Sequence, residues 1–185
     1  MLRVGLTGDL GSGKSTVARM LTERGAVVFS SDEMGRALMV PGQPVFAEIV
    51  ELFGPGVVAA DGSLDRKKLA ALAVVQPNAI AVVESALIFS TKYGPGGLWR
   101  ERFDCVVLVT APEEQKVARF VDRIAAGREL AGDERAAIEA DARRRLAVQR
   151  NDEYAGDCLV LHNDGDIEQL EVQVGVLWRE LQGSV

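Results

Sequence analysis

Residues 8 to 15 read Gly8-Asp9-Leu10-Gly11-Ser12-Gly13-Lys14-Ser15, a glycine, four residues and then Gly-Lys-Ser, with Thr16 adding a second hydroxyl. A short apolar run holding Val4 and Leu6 precedes this stretch, and Val17, Met20 and Leu21 follow it at helical spacing. Strand, glycine-rich turn and helix, in that order, is the context a phosphate-binding loop requires. Without a Cβ, Gly8, Gly11 and Gly13 let backbone N–H groups, Ser12 among them, turn inward around phosphate oxygens. The helix N-terminus that follows adds partial positive charge at the same place. In that setting Lys14 reaches the β- and γ-phosphates, the Ser15 hydroxyl ligates Mg2+ and Thr16 meets the α-phosphate. The stretch therefore predicts a site for a nucleoside triphosphate.

Composition narrows the rest. A net charge of −6 over 185 residues argues against a general electrostatic grip on nucleic acid or an anionic membrane. It leaves room for a small anionic ligand, which needs only a local nest and a few arginines. Cys105 and Cys158 both fall in strand-like runs, so buried free thiols and a reducing cytoplasm are expected. A single histidine, His162, excludes a histidine-cluster metal site and reads as an edge residue rather than a catalyst. The apolar start reads as a first strand and not as a signal peptide, and no apolar run approaches membrane-spanning length. The oligomeric state stays open, with a monomer favoured.

Along the chain, apolar runs at 26–29, 79–83, 105–109 and 157–161 add four strands to the first. Helical spacing lies between them, with Gly25 a stop signal and Pro112 in the first turn of a later helix. Five strands alternating with helices predict an α/β fold, a three-layer sandwich around a parallel sheet. The expected division is a single domain, 1–185. Its core comprises about 1–31, 79–118 and 151–185, with a helical acceptor lobe about 32–78 and a helical lid about 119–150.

Several side chains fall where chemistry would need them, and each has a plainer reading beside it. Asp32 follows the second strand, beside the mouth of the loop in an open parallel sheet, and can also cap a helix, the two readings being compatible. Arg36 is one turn further on, a substrate-holding or a surface arginine. Glu84 ends the third strand, where an acid acts on a metal or its water shell or is simply exposed. Arg119 and Arg123 share one face of a helix that, with the next, looks like a lid. Such guanidinium groups bracket a transferring phosphoryl group, or form a solvated basic face like the run Arg143-Arg144-Arg145. Asn163 to Gly165 follow the last strand, as an adenine contact or an ordinary turn.

Beyond the loop, several ordered blocks carry a resemblance. They are Leu6-Thr7-Gly8 through Ala18, Asp32 with Arg36, Pro41-Gly42 with Pro44, Phe53-Gly54, and Asp61-Gly62 with Leu64-Asp65-Arg66. Further on come Glu84 to Phe89, then Pro112, Glu113 and Gln115 with Arg119 and Arg123, then Asn163-Asp164-Gly165 with Gln173-Val174. Together they resemble the dephospho-coenzyme A kinases, P-loop kinases that perform the last step of coenzyme A synthesis. The resemblance implies ATP as phosphoryl donor, Mg2+ as its companion ion, the ribose 3′-hydroxyl of dephospho-CoA as acceptor, and Asp32 as the base. Lys14 and Arg123 would act on the transferring group, with Arg119, Asn163 and Gly165 on the nucleotide. The chain departs from the family in several places, among them Ala86 and Ser90, which stand where the family often has proline and glutamate. Only Val74-Val75-Gln76-Pro77-Asn78 stands where the family usually carries a longer helical segment with Leu-Glu and His-Pro motifs. Ser30 replaces the family's first aspartate, leaving Asp32. The residues themselves leave open another small hydroxyl or nucleotide acceptor, and nucleotide binding without transfer.

Overall fold

All five apolar runs become strands of one sheet in which every neighbouring pair is parallel. The structure, a computed structural model, describes residues 2–30, 79–89 and 98–184 together with positions 50, 56 and 58. Among the described residues the order is β1 (Leu2–Thr7), α1 (Lys14–Glu23), β2 (Val27–Ser30), β3 (Ile80–Glu84), α2 (Leu98–Arg102) and β4 (Cys105–Thr110). Then follow α3 (Glu113–Ala125), α4 (Gly132–Gln149), a 3-10 helix (Asn151–Asp157), β5 (Leu159–His162) and α5 (Ile167–Gly183). Most of the expected acceptor lobe, with Asp32 and Arg36, lies outside the described residues.

In space the strands run β2-β3-β1-β4-β5. The chain leaves β1 toward one edge and β4 toward the other, so the β1–β4 boundary is a topological switch point. Open parallel sheets bind ligands there, beyond the carboxyl ends of the strands. Both faces of such a sheet are covered, which is why β4 shows no polar alternation. Val106, Val107, Leu108 and Val109 are all buried.

On one face, Leu2, Val4, Leu6, Ile80, Val82, Val107, Val109 and Leu161 pack under α1 and α5. Burying each such side chain contributes about 1.5–3 kcal/mol, so this face dominates the stability of the fold. Ile88, Phe89, Trp99 and Val106 form the core of the opposite face, where the Phe89 and Tyr154 rings stack 4.1 Å apart. A third cluster joins α3 to α4 through Val117, Phe120, Val121, Ala142 and Leu146, with Leu10 of the loop against it.

Three expectations need correction. Helical spacing puts Ile124 with Val117, Phe120 and Val121 on the apolar face of α3, but in the last turn it lies outside the α3–α4 cluster and is 44% exposed. Cys105 and Cys158 are free as expected yet only half-buried, because both sit at the edges of elements. That burial still pushes both thiols up, Cys158 to about 11. Pro112 precedes α3 at its N-cap position instead of lying within the first turn. The helix α2 and the 3-10 helix are elements that spacing does not announce. Among the described residues no helix is long and apolar enough to cross a membrane.

Candidate active site

The turn between β1 and α1 is shaped by positions where a side chain has no room. Gly11 has φ +71, and a Cβ there would lie 2.2 Å from the Lys116 carbonyl oxygen. Gly13 has φ +98, and its Cβ would lie 2.2 Å from Asn163 Nδ2. Both are therefore glycine for two independent reasons, left-handed backbone and close approach. Ser12 N–H donates to Asp9 O at 3.2 Å and closes the turn. Gly13 takes the N-cap position of α1 and has no side chain with which to cap it. The first turn of that helix thus presents N–H groups and partial positive charge at the switch point of the sheet.

Two chemical groups converge beside it. Lys14 Nζ donates to Asp9 O at 3.1 Å, which holds the ammonium against the loop. Ser15 Oγ donates to Glu84 Oε1 at 2.9 Å. Sheet register makes that meeting possible, since Leu6 of β1 pairs with Glu84 at the carboxyl end of β3. Thr7 Oγ1 and Ser12 Oγ are buried with no hydrogen-bond partner among the described residues, at the same end of β1. Unsatisfied buried hydroxyls are uncommon, and here they flank the glycine turn.

The opposite wall comes from late in the chain. Asn163, buried at the end of β5, donates from Nδ2 to Ser12 O at 2.8 Å. Arg119 donates to Asn163 O at 3.0 Å and to Gln115 Oε1 at 3.1 Å, while Gln115 donates to Asp164 O at 3.0 Å. Arg119 also reaches within 3.5 Å of Gly11 O. Gly165 lies two residues beyond Asn163, against the Gln169 side chain. Of the two arginines expected to act together, the structure brings Arg119 to the loop. Arg123 lies one turn outward and exposed, its guanidinium 5.3 Å from the centre of the Phe120 ring. His162 is exposed at the end of β5 and exchanges backbone bonds with the Gln173 side chain.

Some contacts to the loop were not foreseen from the sequence. Lys116 Nζ is 2.7 Å from Asp9 Oδ2, with both side chains buried. Asn151 Nδ2 donates to Asp9 Oδ1 at 2.9 Å, and Leu10 N–H donates to Gln149 Oε1 at 2.7 Å. The available signal was Lys116 itself, a charge next to Val117 within an otherwise apolar stripe. A lysine in such a stripe implies a buried anion nearby. Arg143 on α4 is exposed and pairs with Glu113 and Glu114 on α3, so this part of the basic run is a solvated face. Hydrogen bonding from Arg143 holds the Glu114 carboxyl below the usual carboxylate range.

Comparison with known proteins agrees with this geometry. The family model described as dephospho-CoA kinase matches residues 2–93. The dephospho-CoA kinase of Streptomyces avermitilis is 38% identical over an alignment covering 98% of this chain and 94% of the relative. That alignment spans 204 residues, more than the 185 here, so the relative carries residues that this chain lacks. Among solved structures, TT1252 from Thermus thermophilus superposes with a TM-score of 0.57 at 27% identity, covering 97% of each chain. The shikimate kinase of Acinetobacter baumannii, at 18% identity and a TM-score of 0.55, covers 100% of this chain and 94% of its own, and shares the fold. The phosphate-binding loop, its setting in the sheet and a relative of this identity over nearly the whole length lead to one conclusion: the chain belongs to the dephospho-CoA kinase family.

Proposed function

We propose that the protein transfers the γ-phosphoryl group of ATP to the ribose 3′-hydroxyl of dephospho-CoA, the last step of coenzyme A synthesis. The observation that carries phosphoryl transfer is the glycine turn, which leads into an uncapped helix with Lys14, Ser15 and Glu84 gathered at one point. Family membership carries the choice of acceptor. Lys14 exchanges its bond to Asp9 O for the β/γ-phosphates, and Gly13, Lys14 and Ser15 at the start of α1 hold the phosphate chain through backbone N–H groups. Arg119 and Asn163 form the wall against which the nucleotide rests, with Gly165 beside it. Arg119 neutralises charge on the transferring group, and Arg123, one turn outward in this structure, would join it only by a movement of the α3–α4 lid.

The pair Ser15 and Glu84 fits a hard divalent cation, since both offer oxygen and lie in contact at the loop. Mg2+ keeps most of its waters and takes few protein ligands when phosphates supply the rest. Ser15 would hold it through its hydroxyl and Glu84 through water. When bound, the ion neutralises phosphate charge. Asp32, two residues past the end of β2, is the base that accepts the acceptor hydroxyl proton, and Arg36 steadies the substrate, both within the acceptor lobe of residues 32–78. The reaction belongs in the cytoplasm, and the protein acts on a small molecule.

A different hydroxyl acceptor is the competing reading, favoured by the residues that the Streptomyces relative carries and this chain lacks. Steady-state kinetics with Asp32→Asn separates a base from a helix cap. Turnover is expected to fall at least roughly a hundredfold while ATP affinity holds. An equal loss of both would make Asp32 a structural residue.

A further inference from the structure

Asp9 is the first variable residue of the phosphate loop, and its charge has the wrong sign for the task. A carboxylate inside a turn that receives a polyanion repels it, strongly where water is scarce. The structure meets this with a buried cation from another element. Lys116 Nζ on α3 lies 2.7 Å from Asp9 Oδ2, the two side chains being 5% and 6% exposed. Asn151 takes the other carboxylate oxygen, and Asp152, far more exposed, lies 3.4 Å from the same ammonium. Neighbouring loop residues are tied to the same helices, Leu10 through Gln149 and Gly11 through Arg119 and the close Lys116 carbonyl. Residues 9 to 11 are thereby clamped by α3, α4 and the 3-10 helix, which leaves the turn from Ser12 to Thr16 to face the phosphates.

We propose that Asp9 and Lys116 are a positioning pair in which Lys116 cancels the loop's own negative charge, so that the loop accepts a triphosphate while anchored to α3. This rests on the reading of the loop as a nucleotide site and not on the identity of the acceptor. A charge-cancelling pair has unequal halves. Removing the lysine charge leaves a buried carboxylate beside the phosphates, whereas removing the aspartate charge leaves a cation there. Removing both restores neutrality, and the two amides can hydrogen-bond each other. A pair that only braces the fold has no such asymmetry.

The test titrates the full chain with ATP and Mg2+ in competition with a fluorescent ATP analogue, for the unaltered protein, Lys116→Gln, Asp9→Asn and the double variant, with thermal melts recorded alongside. Lys116→Gln is expected to weaken ATP binding roughly tenfold, Asp9→Asn to bind ATP as tightly as the unaltered protein or tighter, and the double variant to return within about threefold of it. Equal weakening by both single changes, or a double variant no better than Lys116→Gln, overturns the proposal. If Lys116→Gln does not fold, the other two decide: ATP affinity near the parent in both supports the pair, and a roughly tenfold loss in both refutes it. Transfer to dephospho-CoA is not read, so a wrong acceptor leaves these affinities interpretable. No ATP binding by the unaltered chain overturns the nucleotide reading and the pair together.

Discussion

Helices α1 and α5 lie against the same face of the sheet and bury four apolar residues apiece, yet they begin in opposite ways. The first turn of α5 is closed by Asp166, whose side chain accepts the Gln169 N–H at 2.8 Å. The first turn of α1 is entered through Gly13, which has left-handed backbone and no side chain to cap it. One N-terminus is finished within the chain, and the other is left to be completed by a ligand. An aspartate cap at Gly13 would favour the helix and occupy the place where phosphate oxygens bind. The difference shows where stability has been given up for binding. It also explains why the loop is braced from outside by Lys116, Asn151, Gln149 and Asn163.

This comparison can be broken at several points. Gly13→Ala has the largest expected effect, because the new methyl meets Asn163 and the backbone disfavours any Cβ. ATP affinity should fall at least roughly a hundredfold, read by titration. Binding near the parent's strength would mean that the loop relaxes and that its shape is not decisive. Leu177→Ala acts on the shared core instead, since Leu177 is buried on the inner face of α5. It should cost about 2–5 kcal/mol in chemical denaturation, with the folded fraction binding ATP as before. A matching loss of ATP affinity would show that the two helices are coupled and not simply neighbours. Asp166→Ala is the mildest, costing about 1 kcal/mol of stability through the lost cap. A change in ATP affinity from that substitution would erase the division between the two helix starts.

Much of this arrangement was legible in local sequence. The loop declares itself because every residue of the motif is a near neighbour in the chain. The strands declare themselves because burial on both faces of a parallel sheet demands continuous apolar runs, as in Cys105–Thr110. Sequence places Asn163 in the turn after the last strand, as an adenine contact or an ordinary turn residue, and the structure adds a bond to Ser12 O across 151 positions. Lys116 and Asp9 are 107 positions apart, so no local pattern joins them. The five residues of α2 are too few for a helical period, and the 3-10 helix has no apolar repeat to betray it. Arg119 and Arg123 look alike by spacing. Only the position of the β5–α5 turn, fixed by sheet pairing, separates the one at the loop from the one outside it.

The most direct test of the proposed reaction incubates the full chain with ATP, Mg2+ and dephospho-CoA and follows both ADP release and product mass. Expected is a product one phosphoryl group heavier, with the phosphate on the ribose 3′-oxygen, and at least roughly a hundredfold slower formation by Lys14→Ala. ATP bound without transfer to dephospho-CoA, with transfer to another hydroxyl acceptor in the same assay, would contradict it.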